Sequence, residues 1–160
     1  MEKINIEIIM ENDGVIKAEL YPEIAPITVK NFVKLINENF FDGLIFHRVI
    51  KGFMIQGGGF DVDGNQKITS SIKGEFKSNG VENKLLHVRG VLSMARTMIP
   101  DSASSQFFIM HMDAPHLDGQ YAAFGQVTDG MDVVDEIADV PTDYSDRPLH
   151  DCVIKTIKLS

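Results

Sequence analysis

The amino-acid sequence predicts a mainly β fold, an antiparallel barrel or sandwich of about eight short strands with two helices. Two observations carry this. Outside two segments, every apolar stretch is short and strand-like, and turn residues separate one stretch from the next. Only those two segments show the spacing of a buried helical stripe, too few helices for a parallel sheet, whose crossovers need one each.

The elements follow in chain order. Residues 4–10 (INIEIIM) alternate apolar and polar at period two, Asn12-Asp13-Gly14 supplies a turn, and residues 15–21 (VIKAELY) return as the second strand of a hairpin. Pro26 suits the first turn of a helix, where its missing N–H costs nothing. Val29, Phe32, Val33 and Ile36 then recur at i, i+3, i+4, i+7, and Asn39 and Gly43 bracket the end. Further strands are expected at 45–50, 53–57, 91–95, 106–110, 122–127 and 153–159. The second helix fits 129–140, with Asp132, Asp135 and Glu136 toward its positive end and Val133, Val134 and Ile137 as its buried stripe. Between Gly58 and Gly90 the periodicity is weak. A connection of that length inside a compact domain is usually functional.

With 160 residues, one domain spanning 1–160 is the expectation. Apolar residues at 44% and charged residues at 24% exclude a disordered chain. No apolar run approaches bilayer-spanning length, and the first residues lack the cationic flank and apolar stretch of a signal peptide, so no membrane association is expected. Fifteen basic against 23 acidic residues give a net charge of −8, a poor match for nucleic acid. The single Cys152 cannot form an internal disulfide, which points to a reducing compartment, the cytoplasm.

Several motif readings fail. Gly57-Gly58-Gly59 would need Gly at 62 for a dinucleotide fingerprint, where Val62 stands, and no Gly-Lys-Ser/Thr follows for a Walker loop. Asp61-Val62-Asp63-Gly64 resembles a calcium loop only faintly, with its glycine fourth instead of sixth and Ile72 at the twelfth place. His111, Asp113 and His116 match no zinc spacing, and Asp143, Asp146, His150 and Asp151 read as a solvated loop. No Gly-x-Ser-x-Gly elbow is present, so covalent hydrolysis has no visible nucleophile. No metal and no cofactor is expected.

Five blocks remain, in order: Phe46-His47-Arg48 leading through Gly52-Phe53-Met54-Ile55-Gln56-Gly57-Gly58, then Leu92-Ser93-Met94-Ala95, Ser105-Gln106-Phe107-Phe108-Ile109, Leu117-Asp118-Gly119, and Phe124-Gly125-Gln126-Val127. On these blocks the chain resembles the cyclophilin-type peptidyl-prolyl cis-trans isomerases over nearly its whole length. The resemblance implies a closed eight-stranded antiparallel β-barrel, capped by a helix at each end and packed solid inside, with peptide bound in an outer groove. It implies a rotamase that assists protein folding, acting as a monomer on proline-containing peptides and on unfolded or folding proteins. It places the catalytic arginine at Arg48, and the proline pocket at Phe53, Met54, Phe108 and Leu117. Peptide-backbone contacts fall on Gln56, Ala95 and Arg96, with Gln106 near the groove wall.

Three groove positions depart from the best-known eukaryotic members. Arg96 stands for Asn, Tyr121 for His, and His116 for Trp, and the last implies weakened cyclosporin binding. Read without the resemblance, Arg48 is a surface cation, Phe53, Met54 and Phe108 are ordinary core, and Gln56 and Gln106 form a buried network. A binding module with little turnover is the competing function.

The faces of the strands add a constraint. A two-residue loop at Lys51-Gly52 would pair Arg48 with Ile55 and turn Gln56 away from Arg48. Arg48, Met54 and Gln56 share a side only if the loop has odd length or a bulge interrupts it.

Overall fold

The computed structural model describes residues 2–160. The strands are β1 (Ile4–Met10), β2 (Val15–Leu20), β3 (Arg48–Ile50), β4 (Met54–Gly57), β5 (Val91–Met94), β6 (Phe107–Met110), β7 (Ala123–Asp129) and β8 (Ile154–Leu159). The helices are α1 (Pro26–Asn37) and α2 (Met131–Ala138). All eight strands form one sheet in the order β3-β4-β6-β5-β7-β2-β1-β8, and every neighbouring pair is antiparallel.

The sheet curls into a half-barrel, which corrects the expectation of a closed one. Its edge strands β3 and β8 share no ladder; the seam carries one isolated bridge, Ile45 to Val153. The cause lies just before β3. There the backbone divides its hydrogen bonds between two neighbours. Phe46 N–H donates to the Cys152 carbonyl, while Ile45 N–H donates to Phe60. Among the described residues this segment meets these neighbours through isolated bridges, Leu44 to Asp61 and Ile45 to Val153, and not through a continued ladder. The expected strand 45–50 accordingly shortens to its last three residues.

Alternation at period two gives the sheet an inner and an outer apolar face. Phe107 and Ile109 of β6 join the inner cluster, with Val49, Ile55, Leu92 and Phe124. Phe108 and Met110 join a separate outer cluster with Met54, Val91 and Ala123. Helix α1 plugs the inside with Phe32, whose ring lies 4.9, 5.2 and 5.1 Å from those of Phe41, Phe107 and Phe124. The interior is therefore filled by large side chains.

Both helix ends are set by local chemistry. Ala25 offers α1 no side-chain cap, and the long 58–90 connection supplies one. Buried Glu75 accepts from Thr28 N–H at 2.6 Å and from Thr28 Oγ1 at 2.8 Å, placing a carboxylate at the positive end. At the other end Asn39 takes a left-handed φ of 55°. Phe40 N–H reaches back to Leu35 O and Asn39 N–H to Ile36 O, the Schellman pattern. Helix α2 starts two residues later than the sequence suggests, because Asp129 still belongs to β7 and Gly130 turns the chain with φ 93°. Its buried residues are Val134, Ile137 and Ala138; Val133, expected in the stripe, is half-buried at its margin. Among the described residues no helix is long and apolar enough to cross a membrane.

Candidate active site

The register of β3 and β4 decides the site. Arg48 pairs with Gln56, Val49 with Ile55 and Ile50 with Met54, so the loop is the three residues Lys51-Gly52-Phe53. Phe53 N–H donates to Ile50 O at 2.9 Å, and Gly52 sits third in this turn with φ 81°, a conformation glycine adopts without strain. The odd loop places Arg48 beside Gln56 on the outer face, as the sequence argument requires.

On that face a pocket of about 120 Å³ is lined by Arg48, Phe53, Met54, Gln56, Ala95, Arg96, Phe108, Leu117 and Tyr121. Two candidate residues stand just outside it. Gln106 lines an adjoining recess shared with Gln56, Ala95 and Arg96, and His116 lines another shared with Arg96, Leu117 and Tyr121. Met54, Phe108 and Leu117 are buried, whereas Phe53 and Tyr121 are half-exposed walls. Phe53 stacks on His116 at 5.8 Å, and Tyr121 meets Phe108 edge-on at 5.8 Å. An engineered apolar cavity of about 150 Å³ holds benzene, so a pocket this size suits a five-membered ring.

The polar groups sit along one rim. The Arg48 side chain is exposed and makes one long hydrogen bond, Nη1 to Gln56 Oε1 at 3.4 Å. Among the described residues it has no carboxylate partner. Gln56 Nε2 donates to Gln106 Oε1 at 3.0 Å, which orients both amides. Arg96 is held differently. Its guanidinium donates to the carbonyls of Gln120 and Thr97 and lies 4.7 Å from the ring centres of both Phe76 and Tyr121. The larger side chain standing for Asn is thus tied back along the groove edge.

A buried network beneath the pocket escaped the sequence reading. The His87 ring stacks 6.0 Å from Phe108. Its Nε2 lies 2.8 Å from Ser93 Oγ, and its Nδ1 lies 3.1 Å from Asp118 Oδ1. Asp118 also accepts the His87 backbone N–H at 2.6 Å. Burial lowers the imidazole's affinity for protons, against the opposing pull of Asp118. His87 lies in the weakly patterned connection, 31 residues from Asp118, so no local signal marks the pair. His111 and Asp113, weighed as metal ligands, engage Gly52, Asp135 and Arg89.

Comparison with known proteins then decides the family. The model for "Cyclophilin type peptidyl-prolyl cis-trans isomerase/CLD" matches residues 5–159. The chain belongs to this family of isomerases. It is 53% identical over 137 residues to a peptidyl-prolyl cis-trans isomerase of Acinetobacter baylyi, covering 82% of this chain and 70% of that one. It is 44% identical to peptidyl-prolyl cis-trans isomerase B of Escherichia coli, covering 93% and 96%. A crystal structure of a cyclophilin from Cryptosporidium parvum superposes with a TM-score of 0.85 at 30% identity, covering 99% of this chain and 98% of that one. A second structure of that cyclophilin, in the presence of the dipeptide Ala-Pro, gives 0.83 at 31% identity, covering 98% of each chain. This cyclophilin therefore carries its outer pocket on a fold and sequence shared with named isomerases.

Proposed function

We propose that this cyclophilin rotates X-Pro peptide bonds in the outer pocket, with Arg48 as the catalytic residue. The observation that carries the reading is an exposed guanidinium, paired with no carboxylate among the described residues, beside an apolar hollow of proline size. Phe53, Met54, Phe108 and Leu117 hold the ring. Gln56, Ala95 and Arg96 contact the peptide backbone, with Gln106, His116 and Tyr121 bordering the groove.

The X-Pro bond resists rotation because the nitrogen lone pair conjugates with the carbonyl, a barrier of roughly 18–20 kcal/mol. Twisting the bond breaks the conjugation and returns the lone pair to nitrogen. A guanidinium aimed at that nitrogen gains a hydrogen bond only in the twisted state, and so lowers the barrier without tightening the ground state. Arg suits this role because it stays charged and its donors lie in a plane. The long bond to Gln56 is weak enough to exchange for the substrate. An acceleration of about 10⁵ requires roughly 7 kcal/mol, whereas one charge-assisted hydrogen bond supplies about 1.5–3 kcal/mol. The remainder falls to the pocket, which anchors the ring while the preceding carbonyl swings and removes the water that favours the planar, polar amide. No proton moves and no covalent bond forms.

The test is a coupled assay on a proline peptide. Arg48→Ala is expected to lose at least about tenfold in kcat/KM, the scale of one lost transition-state hydrogen bond. Equal rates for variant and parent would mean that Arg48 is not the catalytic residue, and no turnover in the parent itself would leave a proline-binding module. The same reading gives weak cyclosporin affinity, because His116 presents a smaller ring than Trp. His116→Trp is expected to tighten cyclosporin in titration calorimetry, and an unchanged Kd would remove that role for His116. The lone Cys152 supports a cytoplasmic location, and the family resemblance supports a monomer that assists the folding of proline-containing chains.

A further inference from the structure

We propose that His111 is a positioning residue of the isomerisation: it clamps the Lys51-Gly52-Phe53 turn and so fixes Phe53 against the proline pocket. The inference rests on reading the outer pocket as the proline site.

His111 follows β6 directly and is buried. It grips the turn twice. Its backbone N–H donates to Phe53 O at 2.9 Å, and its ring Nδ1 lies 2.9 Å from the Gly52 nitrogen. A backbone N–H can only donate, so Nδ1 must carry the free lone pair. The ring proton is then on Nε2, which faces Asp135 Oδ1 at 3.2 Å. Asp135 in turn receives both terminal nitrogens of Arg89 at 2.7 Å, and Arg89 Nη1 also donates to the His111 carbonyl at 2.9 Å. Lys51 in the same turn pairs with Asp139, the C-cap of α2. The turn that carries Phe53 is thereby fastened to α2 through a histidine locked in one tautomer. The Phe53 ring is half-buried, packed against the outer cluster and stacked on the exposed His116, so the place of this wall also depends on the turn that carries its backbone.

Two amide replacements separate the acceptor from the bulk of the ring. In His111→Asn the side-chain oxygen reaches the place of Nδ1 and can take the Gly52 N–H. In His111→Gln the amide reaches the place of Nε2 and leaves that N–H without an acceptor. Phe53 contacts the ring equally in ground and twisted states, so loosening it should raise KM with kcat retained. We expect about three- to tenfold higher KM for His111→Gln, kcat within about twofold, and near-parental KM for His111→Asn, all at a temperature where circular dichroism shows each variant folded. Equal KM in Gln and parent, equal losses in Asn and Gln, or a fall in kcat at constant KM would each overturn the assignment. Phe53→Ala is the control for the underlying reading. If it leaves both constants unchanged, the pocket reading itself fails; if it raises KM while His111→Gln does not, only the role of His111 fails. Long-range ¹H–¹⁵N spectra of the parent protein test the geometry without any variant. They should show the Nε2–H tautomer with an unprotonated Nδ1, and an Nδ1–H ring would overturn the clamp.

Discussion

Next to the exposed Arg48, His47 is half-buried. The His47 ring lies 4.6 Å from that of Phe60 and tilted by 57° to it, and its buried Nδ1 has no hydrogen-bond partner among the described residues. Burial pushes its pKa down to about 4, and the charges of Arg48 and Arg147 push in the same direction. His47 is therefore neutral in the folded protein while its unfolded counterpart protonates near 6.5. As pH falls from about 6.5 to about 4, the unfolded chain binds a proton that the folded one refuses, so stability declines across that window and levels off below it. His87, also lowered by burial, adds in the same sense. The depressed carboxylates Asp101 and Asp135 act separately: the stability they contribute is present above the unfolded carboxylate range and is lost as pH falls below it through their lowered values. His47→Phe keeps the ring contact with Phe60 and removes the titration. Its urea midpoint should fall less than the parent's between about pH 7 and pH 5, and an identical fall would exclude His47 as a source of the acid sensitivity.

At the scale of elements, what the sequence revealed depended on whether the determining contact is local. The hairpin of β1 and β2 shows its alternation and its Asn-Asp-Gly turn within one stretch, and both strands form where that pattern places them. Helix α1 likewise carries Pro26, its apolar stripe and Asn39 in a single run. The odd loop between β3 and β4 could be deduced because side-chain direction alternates strictly, so residues required on one face fix the parity of the turn. Three features rest on partners distant in sequence and were not legible. Glu75 caps α1 from 47 residues away. The seam between β8 and the segment before β3 depends on how residues 44–46 divide their backbone bonds. The support of Phe108 by His87 comes from the connection with the weakest pattern of all. That connection was expected to be functional from its length alone; its visible contributions are a helix cap and the packing beneath the pocket.

For the whole molecule, the sheet is a partition between stability and recognition. Phe107 and Phe108 are consecutive, yet they face opposite sides. Phe107 meets Phe32, Phe41 and Phe46 inside the curled sheet. Phe108 meets His87 and Tyr121 under the groove. Interiors are packed densely enough that lost volume is felt directly as stability, by about 1–3 kcal/mol for a partial truncation of a buried ring. The groove wall is open to solvent on one side and can relax. Phe107→Leu should therefore lower the urea midpoint and leave KM for a proline peptide close to the parent value. Phe108→Leu should raise KM with the smaller loss of stability, because it reshapes the pocket that receives the ring. The comparison is internal to one strand, so solvent, backbone and sequence position are shared, and only the face differs. If the two substitutions moved KM alike, inner packing and outer groove would be mechanically one body, and the sheet would not separate them.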